Sequence, residues 1–269
     1  MDKQTMTQED FKQGVTLIDI SQYQRQYDVK KHEILTNKHR YPDPEIMIPL
    51  TDEVGNPLLD SQGKPRFEKR YRSLNRIGLP YQKRIVEIAT MFQTAIPYKY
   101  TAEDSKLFSA FKEVIKSNKM NFSDSKICTE VKRYTQVAEY WYPEEEENEQ
   151  YGVPSKFLLR HKVVSPEKHK LYPRFDDNNN LISFAIESTT KDNKKTILQG
   201  FTNEEVYTFT TENGVTKTEV KPNIIGKIPV VLYQQDKPDW DSVQHLIEIA
   251  EEQRTYFSES NKKFGEPIL

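Results

Sequence analysis

Residues 205–216 read Glu205-Val206-Tyr207-Thr208-Phe209-Thr210-Thr211-Glu212-Asn213-Gly214-Val215-Thr216. β-branched and aromatic residues alternate with polar ones up to Asn213-Gly214, the dipeptide best suited to the left-handed positions of a tight hairpin turn. Two antiparallel strands follow from that stretch alone. The same pattern extends outward through Phe157-Leu158-Leu159, Val163-Val164, Leu181-Ile182-Ser183-Phe184-Ala185-Ile186, Thr196-Ile197-Leu198 and the segment from Ile228 to Tyr233. Turn residues at Asp177-Asn178-Asn179-Asn180 and Asp192-Asn193 separate these runs, so 157–233 is expected to be a series of antiparallel hairpins.

Towards the N-terminus the period lengthens to that of a helix. Ile85, Ile88, Ala89, Phe92 and Ala95 form one stripe over 81–95, which Pro97 closes. A second helix is expected over 101–117, capped by Thr101 with Leu107, Phe111, Val114 and Ile115 inward, and a third over 123–140, capped by Ser123 with Ile127, Val131, Tyr134 and Ala138 on one face. These three are expected to pack together. The run Glu144-Glu145-Glu146-Glu147-Asn148-Glu149 then reads as an exposed loop, because adjacent like charges repel. Apolar positions over 17–35 predict a helical arm, and five prolines over 37–72 predict a long loop with one hairpin. Beyond Lys237-Pro238 a helix is expected over 239–264, capped by Asp239, about 40 Å long at 1.5 Å per residue, with Val243, Ile247, Ala250, Phe257 and Phe264 on its apolar stripe. No internal repeat is expected. The reading is an α+β chain divided as 1–36 (N-terminal helical arm), 37–72 (Pro-rich loop), 73–236 (α+β domain) and 237–269 (final helix).

Composition bounds the function. At 269 residues, with Leu, Ile, Val and Phe making up roughly a quarter, the chain can build a core of one or two domains. Yet 30% of residues are charged and mean hydropathy is -0.81, more wettable surface than a compact monomer needs. That suits a subunit of an assembly. Net charge of -2 argues against indiscriminate coating of nucleic acid. The longest apolar run, Ile224 to Tyr233, is broken by Lys227 and Pro229, so no membrane partner is expected, and the polar start Met1-Asp2-Lys3-Gln4-Thr5 lacks an apolar leader.

Candidate chemistry is sparse. Cys128 with His161 or His169 offers a thiol and a base, but Cys128 lies inside a predicted helix without a nucleophile motif and reads as a packing residue. Asp176, Asn178, Asn180 and Glu187 fall at calcium-loop spacing, but Leu181 stands where that loop needs glycine, which favours a plain hairpin turn. No zinc spacing and no phosphate-binding glycine loop occurs, so neither catalytic residues nor metal nor cofactor are expected. Charge is more informative. Lys64, Arg66, Lys69, Arg70, Arg72, Arg76, Lys83 and Arg84 face Glu68 alone, a basic run that could contact phosphate or a partner. The last helix is net acidic and has too narrow an apolar stripe for burial on one small core; packing beside copies of itself is expected.

The order of several segments resembles the portal proteins of tailed bacteriophages. Tyr27-Asp28-Val29-Lys30-Lys31-His32-Glu33-Ile34-Leu35 is similar to the family's arm. Asn75-Arg76-Ile77 through Ile85-Val86 to Ala95-Ile96-Pro97-Tyr98 is similar to its asparagine-arginine-isoleucine helix. Pro166 through Phe175-Asp176-Asp177 to Ile186 resembles the wing strand pair. Gly226-Lys227-Ile228-Pro229-Val230-Val231-Leu232-Tyr233, then Asp241-Ser242-Val243 through Ile247 to Ser258-Glu259-Ser260-Asn261, resembles the Ile-Pro strand and the long stem helix after it. The resemblance implies a wing-like domain, a projecting stem helix and a dodecameric ring at one capsid vertex that passes double-stranded DNA during packaging and ejection. It also implies partners: copies of the chain, the terminase packaging motor, the major capsid protein and head-completion proteins, within a virion assembled in the host cytoplasm. Family members continue into a clip, a second stem helix and a crown; the sequence ends at Glu266-Pro267-Ile268-Leu269, so those parts are expected to be absent. From charge, Glu248, Glu251, Glu252, Glu259, Lys262 and Lys263 are channel-facing candidates, and Lys64, Arg66, Lys69, Arg70, Arg72 and Arg76 are candidates for DNA or partner contact. The alternatives are a hydrolase or calcium-binding module on 157–187, or a phage head adaptor without a channel.

Overall fold

The structure is a computed structural model of the chain; it describes residues 6–190 and 194–265. In chain order the elements are α1 (Gln8–Lys12), α2 (Ser21–Tyr27), α3 (Glu33–Thr36), β1 (Glu45–Pro49), β2 (Phe67–Tyr71), α4 (Tyr81–Thr94), α5 (Lys106–Ser117) and α6 (Met120–Tyr134). Then come β3 (Gln136–Asn148), β4 (Ser155–Val164), β5 (His169–Phe175), β6 (Leu181–Thr189), β7 (Lys195–Phe201), β8 (Glu205–Glu212), β9 (Val215–Pro222), β10 (Val230–Gln234) and α7 (Gln244–Gly265). The chain divides into two compact units, one built from 1–23 and 84–239, the other from 24–83 and 240–269.

The larger unit is the expected antiparallel region with helices around it. β5-β6-β7-β8-β9 form a meander, and β10-β3-β4 form a second sheet. Every pairing is antiparallel. Asn213 and Gly214 both take positive φ, 50° and 79°, the left-handed positions expected of that dipeptide. Ala138 and Val230 of one sheet, with Val164 of the same sheet, pack on Leu171, Phe184, Ile186 and Phe201 of the other. The outer face of the meander is covered by α1. Phe11, fully buried, lies edge-on to Tyr207 with ring centroids 5.4 Å apart, and directly over Gly200, where an added Cβ would lie 2.5 Å from the Phe11 ring. Glycine is needed there so that a ring can approach a strand backbone. Glu187 of β6 ties α1 down, taking Lys12 at 2.6 Å and Lys170 at 2.8 Å.

Several expectations move. The 17–35 arm is not one helix: α2, a turn at 29–31 and α3 are separated by breaks at Asp28, which caps Lys30, and at His32. α5 starts after Ser105, whose hydroxyl accepts from Phe108 N, rather than at Thr101. α6 begins after Lys119, not Ser123, and stops at Tyr134 because Thr135 turns left-handed at φ 65°. Ala138, which continues the helical spacing of Val131 and Tyr134, instead pairs with Val164 and Leu232 inside a sheet. Of the three helices, α4 and α6 touch, through Cys128 Sγ to Gln93 Oε1 and Thr90 to Thr129.

The glutamate run is strand, not loop. Residues 144–148 complete β3, opposite 155–158 of β4. Successive side chains point to opposite faces, which separates the like charges, and Arg160 bonds Glu144 at 2.7 Å across the ladder. The 37–72 segment contains the expected hairpin, β1 with β2. Its end folds into two matching turns, Asp52-Glu53-Val54-Gly55-Asn56-Pro57 and Asp60-Ser61-Gln62-Gly63-Lys64-Pro65, a short repeat not anticipated above. In each, one aspartate oxygen accepts the backbone N–H groups two and four residues on, and the glycine takes positive φ. Asp176 builds the same turn between β5 and β6, accepting from Asn178 N and Asn180 N, with Asn179 at φ 61°. The expected turn at Asp192-Asn193 lies outside the described residues.

The smaller unit is built on α7. This helix has 22 residues, about 33 Å at 1.5 Å per residue, shorter than expected because the chain first makes a tight turn at Asp241–Val243. Asp239 does not cap it; that carboxylate pairs with Lys132 at 3.1 Å within the larger unit.

Candidate functional site

One face of α7 is moored by a strap, residues 72–82, that runs antiparallel to it. Gln82 Nε2 donates to Gln244 Oε1 at 3.0 Å, Leu79 N to Glu251 Oε1 at 2.7 Å, Ile77 N to Thr255 Oγ1 at 3.0 Å, and Asn75 N to Glu259 Oε1 at 3.0 Å. From Asn75 to Leu79, every second strap residue meets every fourth helix residue. Two extended residues advance about 6.6–6.8 Å and four helical residues about 6 Å, so the two periods nearly match. Gly78 lets the strap pass close to the arm, since a Cβ there would lie 2.8 Å from Val29 Cγ1. The resemblance placed Asn75-Arg76-Ile77 in a helix; the segment is extended, because its N–H groups are spent on α7 side chains rather than on helical carbonyls.

The moored face is consequently polar. Thr255 is 0% and Glu251 3% exposed, while Ile247 is the buried apolar residue between them and the start of the helix. Trp240 anchors that start, fully buried, its Nε1 donating to Gln26 Oε1 at 3.1 Å and its ring 5.6 Å from that of Tyr27. His32 closes the seam. Its Nδ1 lies 2.6 Å from Glu251 Oε1 and its Nε2 2.7 Å from Gln26 O. Two acceptors on the two ring nitrogens favour the imidazolium form of His32. Burial alone would lower its pKa; the hydrogen bond and charge of Glu251, with the Gln26 carbonyl and Asp28, outweigh that and raise it above the ordinary 6.5.

The opposite face of α7 is bare. Leu246, Ile249, Tyr256 and Phe257 are 62%, 36%, 46% and 58% exposed, and Phe264 is exposed as well. At 100° per residue they fall within an arc of roughly 100°, opposite Ile247, Glu251 and Thr255. The expected stripe is thus half corrected: Ile247 is buried, but Phe257 and Phe264 face outward.

Of the channel-facing candidates, Glu251 and Glu259 are spent inside the unit, the latter on Asn75 N and the Arg72 guanidinium. Glu248 accepts from Gln244 at 3.0 Å and, with Glu252, flanks the moored face half-exposed. Lys262 and Lys263 are exposed in the last turn, where positive charge suits the helix dipole. Of the basic candidates, Arg76 is 8% exposed and holds Asp43 at 2.9 Å and Tyr41 O at 2.7 Å. Arg72 pairs with Glu259, Lys69 with Glu45 at 2.8 Å, and Arg70 with Glu68 at 3.0 Å. Lys64 and Arg66 stand exposed by the repeated turns.

The alternative chemistries are not assembled. Cys128 bonds Gln93, burial pushes its thiol pKa up, and His169 Nδ1 is 2.7 Å from Ser188 Oγ while the His161 ring lies tilted against Trp141, centroids 5.2 Å apart. The Asp176 oxygens serve their own turn and Glu187 is held by two lysines, so the calcium spacing is that of a hairpin. Among the described residues no group of three metal-ligating side chains could hold an ion, and no helix is long and apolar enough to cross a membrane.

No curated protein matches the chain. Residues 14–269 match the family model described as phage portal protein, SPP1 Gp6-like. That span is nearly the whole chain and includes the strap, the meander and α7, and the protein therefore belongs to the SPP1 Gp6-like family of phage portal proteins.

Proposed function

We propose that the protein is a ring-forming subunit at the capsid vertex, a conduit for double-stranded DNA during packaging and ejection, with α7 as the stem element that meets neighbouring copies. The family match over 14–269 carries this reading. The surface supports it. The chain exposes 18833 Å², where two separate monomeric bodies of these sizes would expose about 14,500 Å² together. Among the exposed large apolar side chains, those of α7 fall in one regular arc.

A ring needs heterologous contacts, with two different patches on each subunit. A helix moored along one side and apolar along the other can offer the open side to a neighbour without unfolding anything. Glu248 and Glu252 would then stand at the edge of the contact, where their charge repels phosphate and keeps the duplex sliding rather than bound. The wing-like role of the larger unit and docking of a packaging motor belong to the same proposal. Electron micrographs of the purified protein provide the test. Closed rings with an open centre are expected; discrete single particles at micromolar concentration would sink the reading.

A further inference from the structure

In the larger unit, an open groove of about 460 Å³ runs along the corner between α5 and α6. Its lining includes the aromatic Tyr98, Tyr100 and Phe122 and the basic Lys112, Lys116 and Lys119. Phe122 is 78%, Tyr98 50% and Tyr100 43% exposed, so large aromatic groups stand in solvent in a groove that three lysines also line. A strained residue marks the corner. Lys119 sits at φ 52°, a left-handed position where glycine or asparagine avoids the Cβ clash, and it precedes α6 without a side-chain cap. Asn118 holds the strain in place, donating to Leu159 O at 2.8 Å and accepting from His161 N at 3.1 Å. A left-handed lysine at the groove, where glycine would be less strained, points to a use for its charge.

The complementary surface is on the same chain. The β3–β4 hairpin carries Glu144, Glu145, Glu146, Glu147 and Glu149, all exposed, against Lys156 and Arg160. Arg160 engages Glu144 and Glu146, while Glu145, Glu147 and Glu149 have no ion pair among the described residues. Val153, 46% exposed, lies in the loop at the end of the hairpin and supplies an apolar group to match the aromatic lining.

We propose that the acidic β3–β4 hairpin of one copy docks in the lysine- and aromatic-lined groove of the next. This rests on the self-assembling reading above and adds a second contact, separate from α7. Opposite charges steer the two patches together, and the aromatic lining supplies the desolvated anchor that exposed ion pairs alone lack.

Sedimentation velocity of the full chain at low and high salt tests it with five variants. Lys112→Glu/Lys116→Glu/Lys119→Glu and Glu145→Lys/Glu147→Lys/Glu149→Lys are each expected to weaken self-association at least tenfold, and the two sets combined to restore most of it. Lys119→Gly relieves the left-handed strain, so it is expected to raise Tm while weakening association; Phe122→Ala, at an exposed position, is expected to weaken association without lowering Tm. An assembly that both charge reversals leave untouched overturns this inference and leaves the ring intact. Monomeric wild-type protein overturns both. A groove reversal that releases oligo(dT) but not neighbouring copies would assign the groove to single-stranded nucleic acid and overturn it as well.

Discussion

Replacing Glu251 by Gln interrogates the seam that decides how α7 is held. In the wild type, Glu251 Oε1 receives His32 Nδ1 at 2.6 Å and Leu79 N at 2.7 Å, with both side chains almost fully buried. The amide can still accept from Leu79, but it leaves His32 a choice between two losses. Charged, the imidazolium is buried without a counter-ion; neutral, one ring nitrogen presents a lone pair to the Glu251→Gln oxygen or to Gln26 O. Breaking a buried ion pair from one side costs about 3–5 kcal/mol, and that is the expected loss near pH 6. The pH dependence has a sign. Because the folded pKa of His32 is raised above 6.5, its contribution is fully present below 6.5 and disappears as pH climbs through the folded value. Wild-type stability of the smaller unit should therefore fall on the alkaline side, and the variant should lose that slope. Trp240, fully buried in this unit, reports on it directly in a Trp141→Phe background, by fluorescence during urea unfolding at pH 6 and pH 9. A loss under about 1 kcal/mol, the value of a neutral hydrogen bond, together with an unchanged pH slope would refute a charged seam.

Two further outcomes concern the larger unit. Gly200→Ala should force Phe11 off the meander, since its Cβ would sit 2.5 Å from that ring, costing about 1–3 kcal/mol by calorimetry; an unchanged Tm would mean α1 is not seated there. Glu187 has its pKa lowered, because Lys12 and Lys170 outweigh the opposing effect of burial, so its contribution is present above 4.5 and lost as pH falls through the folded value. Glu187→Gln should consequently be less stable than wild type at pH 7 and show a shallower acid transition by circular dichroism; identical acid midpoints would contradict the tether.

The meander was legible because alternation, β-branching and Asn213-Gly214 act locally and agree with one another. The helix–strand change at Thr135 was hidden because Val131, Tyr134 and Ala138 keep helical spacing across it; only the left-handed residue breaks the run. The glutamate strand was hidden because propensity weighs like charges along the chain, whereas Arg160 arrives from across the ladder. In the candidate site, the acidic character of α7 was readable but not which glutamates are free. His32, Leu79 and Arg72, which consume Glu251 and Glu259, are remote in sequence. The polar strap face was unreadable for the same reason: Glu251 and Thr255 look like solvent residues until the N–H groups of 75–79 are brought to them. A hint existed in the α7 sequence, where Leu246, Ile249, Tyr256 and Phe257 already form an apolar arc distinct from Ile247.

Native mass spectrometry of the wild-type chain beside Leu246→Glu/Ile249→Glu tests most directly whether the bare side of α7 meets another copy. Both substitutions lie on exposed positions and should leave the fold intact. Closed homo-oligomers from the wild type and predominantly monomers from the variant are the expected pair of spectra. Identical oligomers from both, or monomers alone from the wild type, would contradict the assignment of α7 as the element that joins subunits.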